Sequence, residues 1–286
     1  MIEALCNIFR GMVIGIANII PGVSGGTMAV AMGIYDKLIH ALTHIKSEFK
    51  KSMKLLVPVI IGAGIALVAL SFVITTALEK YPIPTNLLFI GLIVGGLPAV
   101  CRKVKGNPLR PQHVIAALAF FALVVGMALF GGGKGADADL SFGFVNVLIL
   151  FGCGIIAAAT MVIPGVSGSM ILMLLGYYEP VVAAIKDFMT ALAHLDMDGV
   201  VSGLGILVPF GLGALFGIVV IAKLIEWIFR KYPLVAFWAI IGLIVASPVA
   251  IVLLNTFTYT NLAVTIISSV LAFGVGFVVS MKLGGE

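Results

Sequence analysis

Two short motifs of nearly identical sequence interrupt apolar stretches of the chain. The first is Pro21-Gly22-Val23-Ser24-Gly25-Gly26, and the second is Pro164-Gly165-Val166-Ser167-Gly168-Ser169. Proline removes an amide donor and glycine permits tight turns, so each motif should end one helix and let another begin. Because serine is a preferred N-cap, we expect Ser24 and Ser167 at the start of the second helix.

The chemistry that such a turn offers is anion binding. Free amide N–H groups at the first turn of a helix lie at the positive end of its dipole and bind phosphate well. The predicted phosphate-binding residues of the two loops are Ser24, Gly25, Gly26, Thr27, Ser167, Gly168 and Ser169, and the loop-shaping residues are Pro21, Gly22, Pro164 and Gly165. The alternative is a tight helix–helix turn whose small residues only permit close packing.

Three polar side chains lie within one narrow sector of the first apolar arm: Asn7, Arg10 and Asn18. A polar stripe on an otherwise apolar helix points to a cavity, which adds Arg10 and Asn18 to the predicted phosphate site. The alternative is that Arg10 extends to the lipid head groups. Asp36 and Glu179, after Tyr35 and Tyr178, are candidates for a coupling proton, or else mark the interface end of each arm.

Catalysis is not expected from these motifs. Gly22-Val23-Ser24-Gly25-Gly26 matches the nucleophile elbow of hydrolases, but that elbow needs a strand, a turn and a histidine partner. The histidines His40, His44, His113 and His194 fall in loops or at span ends, and the cysteines Cys6, Cys101 and Cys153 are scattered. The sequence therefore predicts a protein that is not an enzyme, with no catalytic residue, no metal site and no cofactor.

Composition places the motifs in a membrane. The 286 residues are 62% hydrophobic and 10% charged, whereas soluble domains carry about 25% charged residues. Apolar runs of about 20 residues recur along the chain, as in membrane-spanning helices. Most of the basic residues lie in short loops, which the positive-inside rule explains without a nucleic-acid partner. We predict an all-α polytopic membrane protein that forms a single domain over residues 1–286.

The chain repeats itself. The offset that places Pro21 on Pro164 superposes the two motifs and also aligns Gly33 with Gly176, and a slightly larger offset aligns Lys80-Tyr81-Pro82 with Lys231-Tyr232-Pro233. The repeats span residues 1–135 and 144–286, and each begins with a broken helical hairpin, at about 5–38 and 145–185. The predicted spans that follow are Leu55–Leu78, Thr85–Val100 and Gln112–Phe130, then Gly203–Phe229, Leu234–Leu254 and Asn261–Met281.

The hairpin arms are too short to cross a bilayer alone, which favours re-entrant hairpins over a kinked pair of crossing helices. The loop at 36–54 is rich in lysine and should be cytoplasmic, whereas the loop at 179–202 holds Lys186 and four acidic residues. A hairpin and three spans make an odd number of crossings, so the second repeat would be inverted and both termini cytoplasmic. Inverted repeats with broken helices are typical of secondary transporters.

The stretches NIIPGVSGGTMAVAMGIYDKLI and IPGVSGSMILMLLGYYEP resemble the bacterial polyprenyl-phosphate translocases of the PopT type, formerly a domain of unknown function. The resemblance covers nearly the whole chain. It implies a multi-pass protein of the bacterial inner membrane that binds a polyprenyl-phosphate lipid and returns undecaprenyl phosphate from the outer to the inner leaflet. A channel or transporter for a small soluble anion is the alternative. The sequence leaves open the coupling ion, H⁺ or Na⁺, and the oligomeric state.

Overall fold

The computed structural model describes residues 2–18, 23–67, 71–130, 143–166, 168–255, 257 and 261–284. Within these ranges all the regular secondary structure is helical. The helices are α1 (Ile2–Ala17), α2 (Gly25–Ala31), α3 (Tyr35–Thr43), α4 (Phe49–Ile65), α5 (Ser71–Lys80), α6 (Pro82–Val104), α7 (Pro111–Phe130), α8 (Phe144–Val162), α9 (Gly168–Leu174), α10 (Tyr178–Ala193), α11 (Met197–Lys231), α12 (Pro233–Leu254) and α13 (Leu262–Gly284).

Among the described residues, six helices are long and apolar enough to cross a membrane: α6, α7, α8, α11, α12 and α13. Their lengths, from 19 to 35 residues, match or exceed the thickness of a bilayer core. The expected class, an all-α polytopic membrane protein, is therefore confirmed.

One predicted span differs in detail from the described helices. The stretch Leu55–Leu78 was expected to cross as one helix; among the described residues α4 ends at Ile65, a π-helical turn follows at 66–67, and α5 begins at Ser71. Residues 68–70 lie outside the described residues. Conversely, α8 is long enough to span by itself, although it was expected to be an arm of a hairpin.

The chain forms two compact units, of which the larger comprises Met1–Leu129, Ile163–Val166 and Ala222–Glu286. In this unit α6 packs against α13, α12 and α2, and α1 packs against α4. Glycines bring the backbones together, because a Cβ at Gly62 would overlap the carbonyl of Ile8 and one at Gly96 would overlap Ala31. Close approach through small residues is the usual way that helices pack in lipid.

The smaller unit comprises Phe130–Val162 and Ser167–Ile221. Here α9 packs against α8 and α10 around the buried residues Cys153, Ala157 and Leu172. A Cβ at Gly154 would overlap the carbonyl of Phe210, so α8 and α11 also meet through a glycine.

Local geometry recurs at the positions that the sequence repeat relates. Tyr81 and Tyr232 precede α6 and α12 with nearly the same dihedral angles, φ −135° and ψ 58° against φ −134° and ψ 56°. Gly33 and Gly176 follow α2 and α9 in the left-handed region, with φ of 67° and 77°. Matched sequence has thus produced matched helix ends.

Candidate functional site

The first motif leads from α1 into α2, and Asn18 links the two helices. The Asn18 side chain donates from Nδ2 to the Ile14 carbonyl at 3.2 Å, and its Oδ1 accepts a hydrogen bond from the Gly25 amide at 3.3 Å. The first amide of α2 is therefore occupied by a side chain of the protein. This corrects the expectation that the Gly25 N–H group points freely into a cavity, and it gives Asn18 a capping role.

Ser24 occupies the predicted N-cap position without forming the predicted cap. Its backbone is extended, with φ −112° and ψ 136°, and α2 begins at the next residue. The hydroxyl makes no capping bond, is buried, and has no hydrogen-bond partner among the described residues. Because most buried polar groups are paired, an unpaired hydroxyl at this position marks a place where a ligand could bind.

The second motif contacts the first. The Gly165 amide donates a hydrogen bond of 2.7 Å to Thr27 Oγ1, and Thr27 is fully buried. A Cβ at Gly26 would lie 3.1 Å from backbone atoms of Pro164, so the two loops pack backbone to backbone. Gly165 itself has φ of +79°, a conformation that favours glycine. Two segments that are far apart in sequence therefore meet at the predicted site residues Gly26, Thr27, Pro164 and Gly165.

Three predicted site residues, Pro21, Gly22 and Ser167, lie outside the described residues. Gly168 and Ser169 form the first turn of α9 in the smaller unit. Gly168 is buried, and a Cβ there would lie 2.8 Å from the Ala157 carbonyl oxygen, so its small size is required for α9 to approach α8.

Arg10 is buried within the larger unit, so its side chain does not extend to the protein surface. Nη1 donates to Asn7 Oδ1 at 3.3 Å, and Nη2 donates to the Leu283 carbonyl at 3.0 Å. The cation thus lies at the C-terminal end of α13, which the helix dipole makes favourable. The predicted polar stripe is realised as the Asn7–Arg10 pair, while Asn18 bonds separately to the first motif.

Asp36 lies in the first turn of α3 and lines a cavity of about 400 Å³. Lys37, Arg102 and Lys103 line the same cavity, which gives it an excess of positive charge. Although Asp36 is exposed as a residue, partial loss of solvent in this cavity raises the pKa of its carboxyl group above the usual range, and the positive charge of Lys103 acts in the opposite direction. Glu179, the counterpart in the second repeat, is also exposed, in the first turn of α10.

The sequence analysis attributed the basic residues of short loops to the positive-inside rule and did not assign Arg102 and Lys103 to a site. The sequence carries no signal for their convergence with Asp36, because α3 and the end of α6 are separated by two intervening helices and meet only through packing. The cavity extends to Gly33 and Gly284, at the ends of α2 and α13.

The described contacts of the histidines lie away from Ser24. His113 accepts a hydrogen bond from the Arg110 amide and stacks on Trp238, and His194 lies at the end of α10 beside the Thr190 carbonyl. His40 and His44 contact Glu226. No histidine among the described residues is thus assigned as a base for Ser24.

The chain is similar to a group of known proteins. A family profile described as undecaprenyl phosphate translocase-like matches residues 14–267. A polyprenyl-phosphate transporter of Staphylococcus aureus is 33% identical over 282 residues, which are 97% of this chain and 95% of that protein. A polyprenyl-phosphate transporter of Vibrio cholerae is 29% identical over 257 residues, or 85% and 76% of the two chains. No solved structure matches the chain.

Proposed function

Because the chain belongs to the undecaprenyl phosphate translocase-like family, we propose that it transports polyprenyl phosphate across the membrane. The direction that we propose is from the outer to the inner leaflet of the bacterial inner membrane, with undecaprenyl phosphate as the lipid. The observation that carries the proposal is the contact between the two motifs, at which the buried Ser24 hydroxyl is left without a described partner.

The physical task is to hide one charged head group while it crosses about 30 Å of hydrocarbon. An unpaired phosphate would face a prohibitive desolvation cost, whereas the isoprenoid tail can remain in lipid throughout. A small polar site is therefore sufficient. In this proposal Ser24, with Gly26 and Thr27 beside it, provides donors to the phosphate from the first motif. The role of Ser167 and Ser169 as donors stays a prediction from the sequence.

We further propose that the first hairpin is re-entrant. Arg10 of α1 and Gly33 after α2 are about equally far along the chain from the loop between the two helices. Both contact the end of α13, Arg10 at Leu283 and Gly33 at Gly284. A hairpin that enters and leaves on one side brings both of its arms to one end of a neighbouring helix. The same contacts support placing the N-terminus and the C-terminus on one side of the membrane.

Each repeat contributes a glycine that packs against a helix of the other repeat, as a two-fold relation between the repeats requires. Gly91 of α6, in the first repeat, lies against the Phe273 carbonyl of α13, in the second. Gly242 of α12, in the second repeat, lies against the Ala117 carbonyl of α7, in the first. Together with the loop charges, this exchange supports an inverted-topology repeat around the two motifs.

Topology can be tested with single cysteines introduced at Lys46 and Asp196 in a variant whose three native cysteines are replaced. We expect an impermeant maleimide to label residue 46 only from the cytoplasmic face and residue 196 only from the opposite face. Labelling of both residues from the same face would contradict the inverted repeat.

The basic cavity at Asp36 is a suitable place for the phosphate at the cytoplasmic end of its path. Ionisation of Asp36 as the pH rises through its raised pKa would add a negative charge beside Lys103 and weaken phosphate binding. We therefore expect Asp36→Asn to bind polyprenyl phosphate with less pH dependence than the parent protein, and Glu179→Gln to behave as the parent does. Equal pH profiles for the parent and Asp36→Asn would exclude this role.

The function itself can be tested by reconstituting the protein in vesicles with a fluorescent polyprenyl phosphate whose head-group label is reduced by an impermeant reagent. We expect the protein to move the labelled lipid of the inner leaflet to the outer leaflet, where the reagent can reduce it. In vesicles without protein about half of the label should stay protected from the reagent. Release of trapped inorganic phosphate without movement of the lipid would instead indicate a transporter of soluble anions. Covalent reaction of Ser24 with a serine-directed probe would indicate a hydrolase.

A further inference from the structure

His40, His44 and Glu226 form a compact cluster in the larger unit, outside the two motifs. His40 lies in the last turn of α3, His44 is its C-cap residue, and Glu226 belongs to α11. Glu226 Oε1 lies 3.7 Å from His40 Nδ1 and 3.5 Å from His44 Nδ1. All three side chains are partly exposed, so an ion could reach them from solvent.

The separations fit a metal ion. Zinc binds histidine nitrogen and carboxylate oxygen at about 2.0–2.2 Å in a tetrahedron, which places neighbouring ligand atoms about 3.3 Å apart. The two measured nitrogen–oxygen distances exceed this value by only a few tenths of an ångström, and the three ligand atoms all lie within 4.8 Å of one another. Rotation of the partly exposed side chains is enough to close the difference.

The two histidines have the spacing and the orientation of ligands. Residues four apart lie on one face of a helix, as in the paired histidines of zinc enzymes. The His40 and His44 rings stack with centroids 4.2 Å apart and an angle of 23° between their planes. In this arrangement both Nδ1 atoms lie on the side of Glu226 Oε1.

Neighbouring groups contact both histidine rings. Glu48 Oε2 lies 3.7 Å from the other nitrogen of His40, Nε2, and a carboxylate at this position commonly orients a histidine ligand. His44 Nδ1 lies 2.9 Å from the Thr43 hydroxyl and 3.3 Å from the His40 carbonyl, so the ring must give up these two contacts when Nδ1 binds the ion. The Thr43 hydroxyl keeps two backbone carbonyls at 3.1 Å as acceptors.

We propose that His40, His44 and Glu226 bind one divalent transition-metal ion, with zinc as the preferred ion and water as the fourth ligand. The bound ion joins α3 to the C-terminal part of α11. Because α3 follows the first hairpin directly, the ion restrains the segment that connects the hairpin to α4.

The experiment is a calorimetric titration of the full-length protein in detergent with Zn²⁺ alone, after removal of any polyhistidine tag. We expect one site per chain in the parent protein, at least 10-fold weaker binding in His44→Ala and Glu226→Gln, and unchanged binding in His194→Ala. The control histidine also lies at a helix C-terminus beside a backbone carbonyl, but it is outside the cluster.

A second measurement does not depend on variants that fold. Co²⁺ bound in a tetrahedral site gives visible absorption bands. We expect these bands from the parent protein with one equivalent of Co²⁺, and we expect added Zn²⁺ to abolish them by displacing the cobalt. Zinc should also raise the melting temperature of the parent and of His194→Ala. Absence of a stoichiometric site, or zinc binding that survives both ligand substitutions unchanged, would overturn the proposal.

Discussion

Replacement of Ser24 by alanine is expected to weaken binding of polyprenyl phosphate by about 10-fold to 100-fold. A hydrogen bond to a charged group contributes about 1.5–3 kcal/mol, and each 1.4 kcal/mol changes a dissociation constant about tenfold. Unlike a bulky substitution, alanine fits the space of a residue that is only 4% exposed. The measurement is the affinity of the purified variant for a polyprenyl phosphate of defined length.

The same substitution should not destabilise the protein. An unpaired buried hydroxyl costs about 1–3 kcal/mol, so its removal is expected to leave the melting temperature unchanged or to raise it. Substitutions of buried residues usually lower the stability of a protein. A variant that binds the lipid more weakly but is at least as stable as the parent would therefore identify the Ser24 hydroxyl as a ligand of the phosphate.

Ser247→Ala is the matched control, because Ser247 is equally buried but donates to the Leu243 carbonyl within α12. We expect it to bind the lipid as the parent does. If Ser24→Ala and Ser247→Ala both retain the affinity of the parent, Ser24 is not a phosphate ligand. The double variant Ser24→Ala and Ser167→Ala should lose more affinity than either single variant, since the sequence predicts a phosphate donor at both serines.

Replacement of Thr27 by valine is expected to lower the free energy of unfolding by about 1–3 kcal/mol and to abolish most of the transport. Valine has nearly the shape of threonine but cannot accept the hydrogen bond from the half-buried Gly165 amide, which would lose its described acceptor. The contact between the two motifs would then be weakened at its centre. Denaturant unfolding and the vesicle assay measure the two effects.

Two further variants separate this explanation from ordinary packing. Thr27→Ser keeps the hydroxyl and loses one methyl group, so it should be more stable and more active than Thr27→Val. Thr85→Val changes another buried threonine. The Thr85 hydroxyl only donates to the Ala77 and Tyr81 carbonyls, and these carbonyls still accept hydrogen bonds from the backbone amides of Tyr81 and Thr85. Equal losses in Thr27→Val and Thr27→Ser would attribute the effect to packing rather than to the hydrogen bond.

The helices were largely predictable because hydropathy and backbone restriction are local properties. Among the described residues, five of the six helices long enough to span were expected within a few residues at most of their ends, and the break before α9 contains Pro164 and Gly165. The exceptions are the stretch Leu55–Leu78, in which α4 ends at Ile65 and a π-helical turn follows, and α8, which is longer than a hairpin arm. In both places the apolar composition is uniform, so it does not indicate where a helix should end.

The site was predictable only in part. The chemistry of Ser24, Gly26 and Thr27 could be recognised from residue types, because an N-cap serine and small residues have the same local role in any helix. The pairing of these groups could not be predicted from the sequence. The partner of the Gly25 amide is Asn18, and the partner of Thr27 is Gly165. A hydrogen-bond donor has many acceptors of suitable type along the chain, and packing selects one of them.

The sequence by itself determined the membrane class, the repeated motifs and the family, because each depends on the order of residues along the chain. Only the tertiary structure decided that Arg10 bonds to Leu283, that Ser24 lacks a described partner, and that Glu226 lies beside His40 and His44. The residues that meet in these contacts are far apart in sequence. Their approach results from the packing of whole helices through glycines, and such packing depends on the shapes of both surfaces rather than on any local pattern of residues.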